Sequence, residues 1–244
     1  MAKIDLKRSS GLPIFYSGED LLPQGLTVSD TTTVCIDDIR PQLLNEDLNC
    51  PAVFYKRYKD IDKDDVFKKK NIRINIYLLF SNLAGIEYSK TIATKCKSYP
   101  RILDVAYGGG IIILQKYEGE DENKVIKIVT KKQQKIIVPP GYAFSLINSR
   151  QNSAFILVEM HSRDARPRDV LDERKGMSYY IIRKNAKQET VRNPEYKKVQ
   201  ELEEIDLEAI LKKYGVTPKT PVVKQIMRKY ERFNWLFEKD SVDL

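Results

Sequence analysis

Histidine is nearly missing from this chain: His161 is the only one in 244 residues. No multi-histidine metal centre can be assembled from a single imidazole, and His161, at the end of an apolar run, reads as a structural or surface residue. Cysteine is also scarce. Cys35, Cys50 and Cys96 are odd in number and widely spaced, which argues for reduced thiols and against a disulfide framework. No Cys-x-x-Cys pair occurs, so a structural zinc site is not expected. No apolar run reaches the roughly 18 residues a membrane helix needs. The opening Met1–Lys7 lacks the apolar stretch of a secretory leader, so a cytoplasmic location is expected and no membrane partner. There is no internal repeat and no low-complexity segment.

What is present is a globular composition, 42% hydrophobic, with a formal net charge of +8. The length suffices for a buried core in one or two domains. The charge favours anionic partners such as nucleic acid. The alternative is a lysine-rich surface organised into ion-pair networks.

The strand pattern is dense. Ala52–Tyr55 and Tyr58 suggest a strand, and Asn71–Phe80 (NIRINIYLLF) alternates before turning fully apolar. Arg101–Ala106 and Ile111–Tyr117 flank Gly108-Gly109-Gly110, a polar turn is expected over Glu118–Asn123, and Lys124–Val129, Lys135–Val138, Ala154–Met160 and Met177–Arg183 continue the series. Short strands at this spacing predict a sandwich or barrel, an all-β architecture of the jelly-roll kind. Residues 1–50 carry scattered turn residues and read as an N-terminal arm or an irregular first layer, 51–198 as the barrel, and 199–244 as a helical basic extension. In the extension Leu202–Tyr214 suits a short helix ending at Gly215. Pro221 can open a second, in which Val223, Ile226, Met227, Tyr230, Phe233 and Phe237 recur at helical spacing.

Pro139-Pro140-Gly141-Tyr142-Ala143-Phe144-Ser145-Leu146-Ile147-Asn148 fits the second cupin motif, Pro-x-Gly-x-x-His-x-x-x-Asn, everywhere except at Phe144. With Gly176–Ile182 and Asn193–Lys198, which match in the same order, this stretch resembles the archaeal cupin-type glucose-6-phosphate isomerases. The similarity runs from about Pro51 to Lys198. The resemblance implies a cupin barrel, a homodimer, and a metal held by three histidines and a glutamate. The family's first motif, Thr-Lys-Gly-His-x-His, falls on Ser89-Lys90-Thr91-Ile92-Ala93-Thr94. Ile92 and Thr94 therefore stand where two histidines belong, Arg101 where the glutamate belongs, and Phe144 where the third histidine belongs.

Aldose–ketose isomerisation takes a proton from the carbon beside a carbonyl, with a metal to polarise the oxygens and a base to move the proton. The motif glutamate is the family's expected base. Arginine stays protonated at neutral pH and repels a cation. The resemblance therefore implies a non-catalytic scaffold without metal or other cofactor. Ile92 and Phe144 are expected to fill the old cavity, because an empty one costs stability. Ser89, Lys90 and Arg101 are the possible phosphate contacts. For Arg101 the competing reading is a buried salt bridge to Asp104 or another acid.

Two further patterns carry little chemistry. Asp60–Asp65 has the alternating acids of a calcium loop but lacks its glycine and its terminal glutamate, Asn71 standing there, so it reads as a solvated turn. Gly108-Gly109-Gly110 reads as a tight turn between strands.

The basic segments remain. Lys56, Arg57, Lys59, Lys63, Lys68, Lys69, Lys70 and Arg73 crowd one stretch, and Lys212, Lys213, Lys219, Lys224, Arg228, Lys229 and Arg232 another, with Glu231 the lone acid in the second. Tyr214, Tyr230, Phe233 and Trp235 accompany the second. Cations among aromatics suit phosphate contacts and base stacking, or else the aromatics pack the helix on the barrel. The expected function is a pseudoenzyme that binds an anionic macromolecule (RNA, a ribosome or DNA). The alternatives are a sugar-phosphate protein, as a residual isomerase or a metal-free sensor, and a protein-interaction module using 199–244.

Overall fold

The computed structural model describes residues 3–117, 123–170 and 174–244. Of the expected turn over Glu118–Asn123, residues 118–122 lie outside this range.

Two six-stranded sheets face one another. The first runs, neighbour to neighbour, Lys135–Val138, Arg101–Tyr107, Phe155–Ser162, Ile72–Leu79, Val53–Lys59, Asp30–Cys35, all antiparallel. The second runs Arg168–Asp169, Thr94–Lys95, Ala143–Ile147, Ile111–Tyr117, Asn123–Val129, Leu202–Glu203. Their facing sides enclose Tyr77, Leu79, Leu103, Val105, Ile112, Leu114, Phe144, Leu146 and Leu157. This is the expected jelly-roll barrel.

Strand alternation decides which side chains enter it. In Phe155–Ser162 the odd positions 155, 157, 159 and 161 point inward, and 156, 158 and 160 join the core on the far side. That far side is covered too, which is why Asn71–Phe80 reads as almost continuously apolar. Leu6, Leu12 and Ile14 of the N-terminal segment pack there with Val222, Val223, Ile226, Phe233 and Leu236 of the extension, against Ile72, Ile74 and Ile76. A smaller sheet (Lys187–Arg192, Tyr179–Lys184, Glu87–Tyr88, Leu83–Ala84) backs the second barrel sheet.

Three expectations need correction. Residues 1–50 are a layer with regular strands: Ile4–Asp5, Ile14–Tyr16 and Leu21–Pro23 form a three-stranded sheet, and Asp30–Cys35, before the expected barrel start at 51, is the edge strand of the barrel. Its threonines hid it, since an edge strand with one wet face needs few apolar residues. The helix expected from Leu202 begins at Leu207, capped by the Asp206 carboxylate, because Leu202–Glu203 pairs parallel with Val125–Ile126 instead. The last helix covers only Val222–Arg228; at Lys229 the backbone leaves helical geometry and a 3-10 segment, Tyr230–Leu236, follows.

The glycine triplet is the expected tight turn. A methyl group on Gly110 would stand 2.3 Å from the Ile147 carbonyl oxygen and 2.7 Å from the Phe155 ring. Both belong to central strands that cannot retreat. Gly110→Ala is expected to cost about 1–3 kcal/mol, the range for overpacking, measurable by chemical denaturation.

Candidate functional site

The four positions expected to correspond to metal ligands, Ile92, Thr94, Arg101 and Phe144, are all buried. Thr94 and Phe144 are direct cross-strand partners, and Arg101 lies on the opposite sheet. Arg101 is 1% exposed. Its Nη1 donates to Thr94 Oγ1 at 2.7 Å, and its Nη2 donates to the carbonyls of Thr94 at 2.7 Å and Tyr142 at 3.3 Å. The guanidinium carbon lies 4.2 Å from the centre of the Phe144 ring, a cation–π contact. Ile92 is buried in the same apolar cluster. Arginine and phenylalanine thus fill the cavity as one packed unit, with Ile92 and Thr94 beside them.

The acid that answers Arg101 is Glu159. Asp104 sits on the other face of its strand and pairs with Lys135 at 3.2 Å. Glu159 is fully buried, 3.4 Å from Arg101 Nη1 and 3.6 Å from Arg57 Nη2. It accepts from Asn75 Nδ2 at 2.8 Å and from the Tyr77 hydroxyl at 3.3 Å. Burial alone would raise its pKa. The positive charge available from His161, the guanidiniums of Arg57 and Arg101, and the Asn75 amide outweigh that and lower it to about 2. His161 closes the cluster. Its Nδ1 is 2.7 Å from the Ser162 carbonyl and therefore carries the hydrogen, which leaves Nε2 to accept from Asn75 at 3.4 Å. Burial pushes the His161 pKa below its ordinary value, against the pull of Glu159. The sole histidine is structural, wholly buried, and engaged on both nitrogens.

Arg57 is a correction. Counted in the sequence among surface cations, it points inward, its guanidinium 5.1 Å from the Tyr77 ring centre and beside Glu159. Sequence reasoning also missed Glu159 and Asn75. The available signal was one acid amid an otherwise apolar strand, FILVEMHS, at an inward position.

This interior does not fit a metal ion. Two guanidiniums line it, and the Nε atoms of Arg57 and Arg101 are buried hydrogen-bond donors without an acceptor among the described residues. Its one carboxylate is already held by two arginines and two neutral donors. Among the described residues no three His, Cys, Asp or Glu side chains converge as ligands.

The expected phosphate set does not assemble either. Ser89 is buried and donates to the Phe54 carbonyl at 3.1 Å. Lys90 faces away from the barrel interior, donating to Glu87 and to the Gln42 carbonyl, with its ammonium 4.6 Å from the Tyr180 ring centre. The acidic turn is not a solvated one throughout. Asp62 is buried and accepts from the backbone N–H groups of Lys63, Phe67 and Lys68, fixing the start of the Val66–Lys69 helix, while Asp60 binds Arg163.

The two basic stretches behave differently. In the first, Lys56 pairs with Asp20, Lys59 with Asp30, Lys68 with Asp65 and Arg73 with Asp60. Lys63 and Lys69 are exposed, and Lys70 lies over the Tyr230 ring at 5.1 Å. In the second, Lys213 pairs with Asp243 and Lys212 is exposed. The others converge. Lys219, Lys224 and Arg228 share a cleft of about 490 Å³ with Arg8 of the N-terminal segment. An adjoining depression of about 140 Å³ holds Arg228, Lys229 and Arg232 with the polar side chains of Thr217, Thr220 and Gln225. No carboxylate lines either. None of these six cations forms an ion pair among the described residues. The N-terminal segment and the extension are held together here: a Cβ on Gly11 (φ +80°) would meet Pro221 Cβ at 3.1 Å.

Two facing, mainly antiparallel sheets packed into a jelly-roll barrel are the cupin class of fold. The chain belongs to the glucose-6-phosphate isomerase family, whose model matches residues 27–199. The match takes in the Asp30–Cys35 edge strand and leaves out the N-terminal sheet and the helical extension. No curated protein is significantly similar to the chain. Among solved structures, vicilin from Capsicum annuum is 17% identical over 47% of this chain and 30% of its own, with a TM-score of 0.35. Hazelnut (Corylus avellana) vicilin is 12% identical over 50% of this chain and 32% of its own, TM-score 0.38. A recombinant oxalate oxidase in complex with glycolate is 11% identical over 61% of this chain and 56% of its own, TM-score 0.35. The chain thus spans between about a third and about half of the length of these proteins.

Proposed function

We propose that the chain is a non-catalytic member of its family that binds nucleic acid through the surface made by Arg8, Lys219, Lys224, Arg228, Lys229 and Arg232. The observation that carries this reading is the convergence of six unpaired cations on two adjoining clefts with no carboxylate in their walls. Surface cations normally sit among acids, as the paired lysines of the first basic stretch do. A patch without them holds a positive field and attracts phosphates. The same elements lie outside the family match, so the patch is an addition to the enzyme scaffold. The interior supports the loss of catalysis: its carboxylate, Glu159, is tied up by Arg57, Arg101, Asn75 and Tyr77, and no metal ligand set is found among the described residues.

Filter binding of mixed-sequence single-stranded RNA to the full chain tests this. Lys219→Glu/Lys224→Glu/Arg228→Glu should weaken binding about 100-fold near 0.1 M salt and make the log–log salt dependence shallower by about two, at roughly 0.7 per lost phosphate contact. Binding that ignores both salt and these substitutions would refute the reading.

Family membership over residues 27–199 favours a second reading, a sugar-phosphate protein. Isomerase assays with added manganese, nickel, iron or zinc separate the two. No turnover is expected, and turnover lost on Arg101→Ala would favour the second.

A further inference from the structure

A further cleft, of about 780 Å³, lies elsewhere. Three segments make it: the turn 95–99 that leaves the Thr94–Lys95 strand, the stretch 164–170, and Lys239 near the C-terminus. We propose that this cleft binds a compact ligand carrying at least two phosphate groups, independently of the nucleic-acid surface.

Its charge is the first ground. Lys95, Lys97, Arg166, Arg168 and Lys239 line it against Asp164 and Asp169, five cations to two carboxylates. Lys97, Arg166, Arg168 and Lys239 are exposed and form no ion pair among the described residues. Asp164 is turned to the Asn71 amide, which donates to it at 2.7 Å, and to Ser162. Asp169 is exposed on the same wall. Among the described residues the four unpaired cations outnumber the two carboxylates, and several cations gathered in one concavity suit more than one phosphate group.

Its construction is the second ground. The walls are fastened to one another by backbone bonds and need not be organised by the ligand. Lys95 and Arg168 are cross-strand partners, Val170 N donates to the Ala93 carbonyl at 2.7 Å, and Asp240 N donates to the Ser98 carbonyl at 2.8 Å. The last bond brings Lys239 to the cleft, so the extension completes a wall that the family barrel alone lacks. Ser98 offers a hydroxyl and Tyr99 a ring on the same side. The volume falls within the range of about 300–1,000 Å³ usual for small-ligand sites, and a wall already in place reduces the entropy lost on binding.

Titration calorimetry of the full chain with inorganic pyrophosphate, and separately with orthophosphate, tests the proposal. Pyrophosphate should bind one to one and at least about tenfold more tightly than orthophosphate. Lys97→Glu/Arg168→Glu should weaken it at least about tenfold at low salt with the unfolding midpoint unchanged, both positions being exposed. Lys219→Glu/Arg228→Glu should leave it intact while impairing RNA binding, so that the two sites fail or stand separately. Absence of pyrophosphate binding, equal affinity for orthophosphate, or indifference to Lys97→Glu/Arg168→Glu would overturn it.

Discussion

Glu159→Gln is expected to destabilise the protein by about 3–5 kcal/mol, the cost of leaving buried charge without its counter-charge. The substitution keeps nearly the same volume, so the loss cannot be assigned to a cavity. What it removes is the negative charge that Arg57 and Arg101 share. Arg101 is 1% exposed and cannot swing into water. It would keep its bonds to Thr94 and Tyr142 and its ring contact with Phe144, none of which supplies a negative charge. Equilibrium denaturation of the full chain measures the effect. A cost under about 1 kcal/mol, the level of an exposed ion pair, would mean the cluster is wetter than its burial indicates.

The same carboxylate gives the protein an acid limit. The folded-state pKa of about 2 lies below the ordinary 4.5, so on acidification the unfolded chain takes up its proton first. The contribution is complete above about pH 4.5 and is lost as the pH falls toward 2. Its size follows from the shift, about 3 kcal/mol. In Glu159→Gln the stability curve should be flatter in that window, and an unchanged acid slope would assign the slope to other carboxylates.

Much of this was legible in the sequence, and what escaped has a physical cause. Phe144 and Thr94 could be brought into one neighbourhood from two short motifs, and they do face each other across adjacent strands. The strands themselves follow from alternation, a local property. The partner of Arg101 does not: Glu159 is 58 positions away, and only the pairing of Arg101–Tyr107 with Phe155–Ser162 brings the two together. Arg57 escaped for a related reason. In Val53–Lys59 the neighbours Lys56 and Arg57 face opposite ways, so Lys56 pairs with the surface acid Asp20 while Arg57 enters the barrel, and composition cannot tell the faces apart. The basic clefts were half visible: the cations of the extension were countable, but Arg8 joins them only because the N-terminal sheet packs on the same side of the barrel.

That packing has its own electrostatic anchor, and breaking it should be the second large effect. Asp104 and Lys135 are cross-strand partners on the outer face of the first sheet, paired at 3.2 Å and essentially inaccessible to water. Asp104 also accepts from the backbone N–H of Val222, the first residue of the last helix, at 2.8 Å. Burial raises the Asp104 pKa, with Lys135 and the Val222 N–H opposing. Lys135→Met leaves a carboxylate in an apolar layer and should cost about 3–5 kcal/mol. Asp104→Leu/Lys135→Met removes both charges and should cost far less than the sum of the single changes. What remains is chiefly the orphaned Val222 N–H, about 1–3 kcal/mol. The excess over additivity, read in a double-mutant cycle, is the coupling of the pair. Because the bond to Val222 goes with Asp104, hydrogen exchange at Val222 should accelerate in the double variant more than at Ile136 in the neighbouring strand. Equal acceleration at both amides would mean that the helix and the barrel open as one unit, with Asp104 bracing the sheet and not the extension.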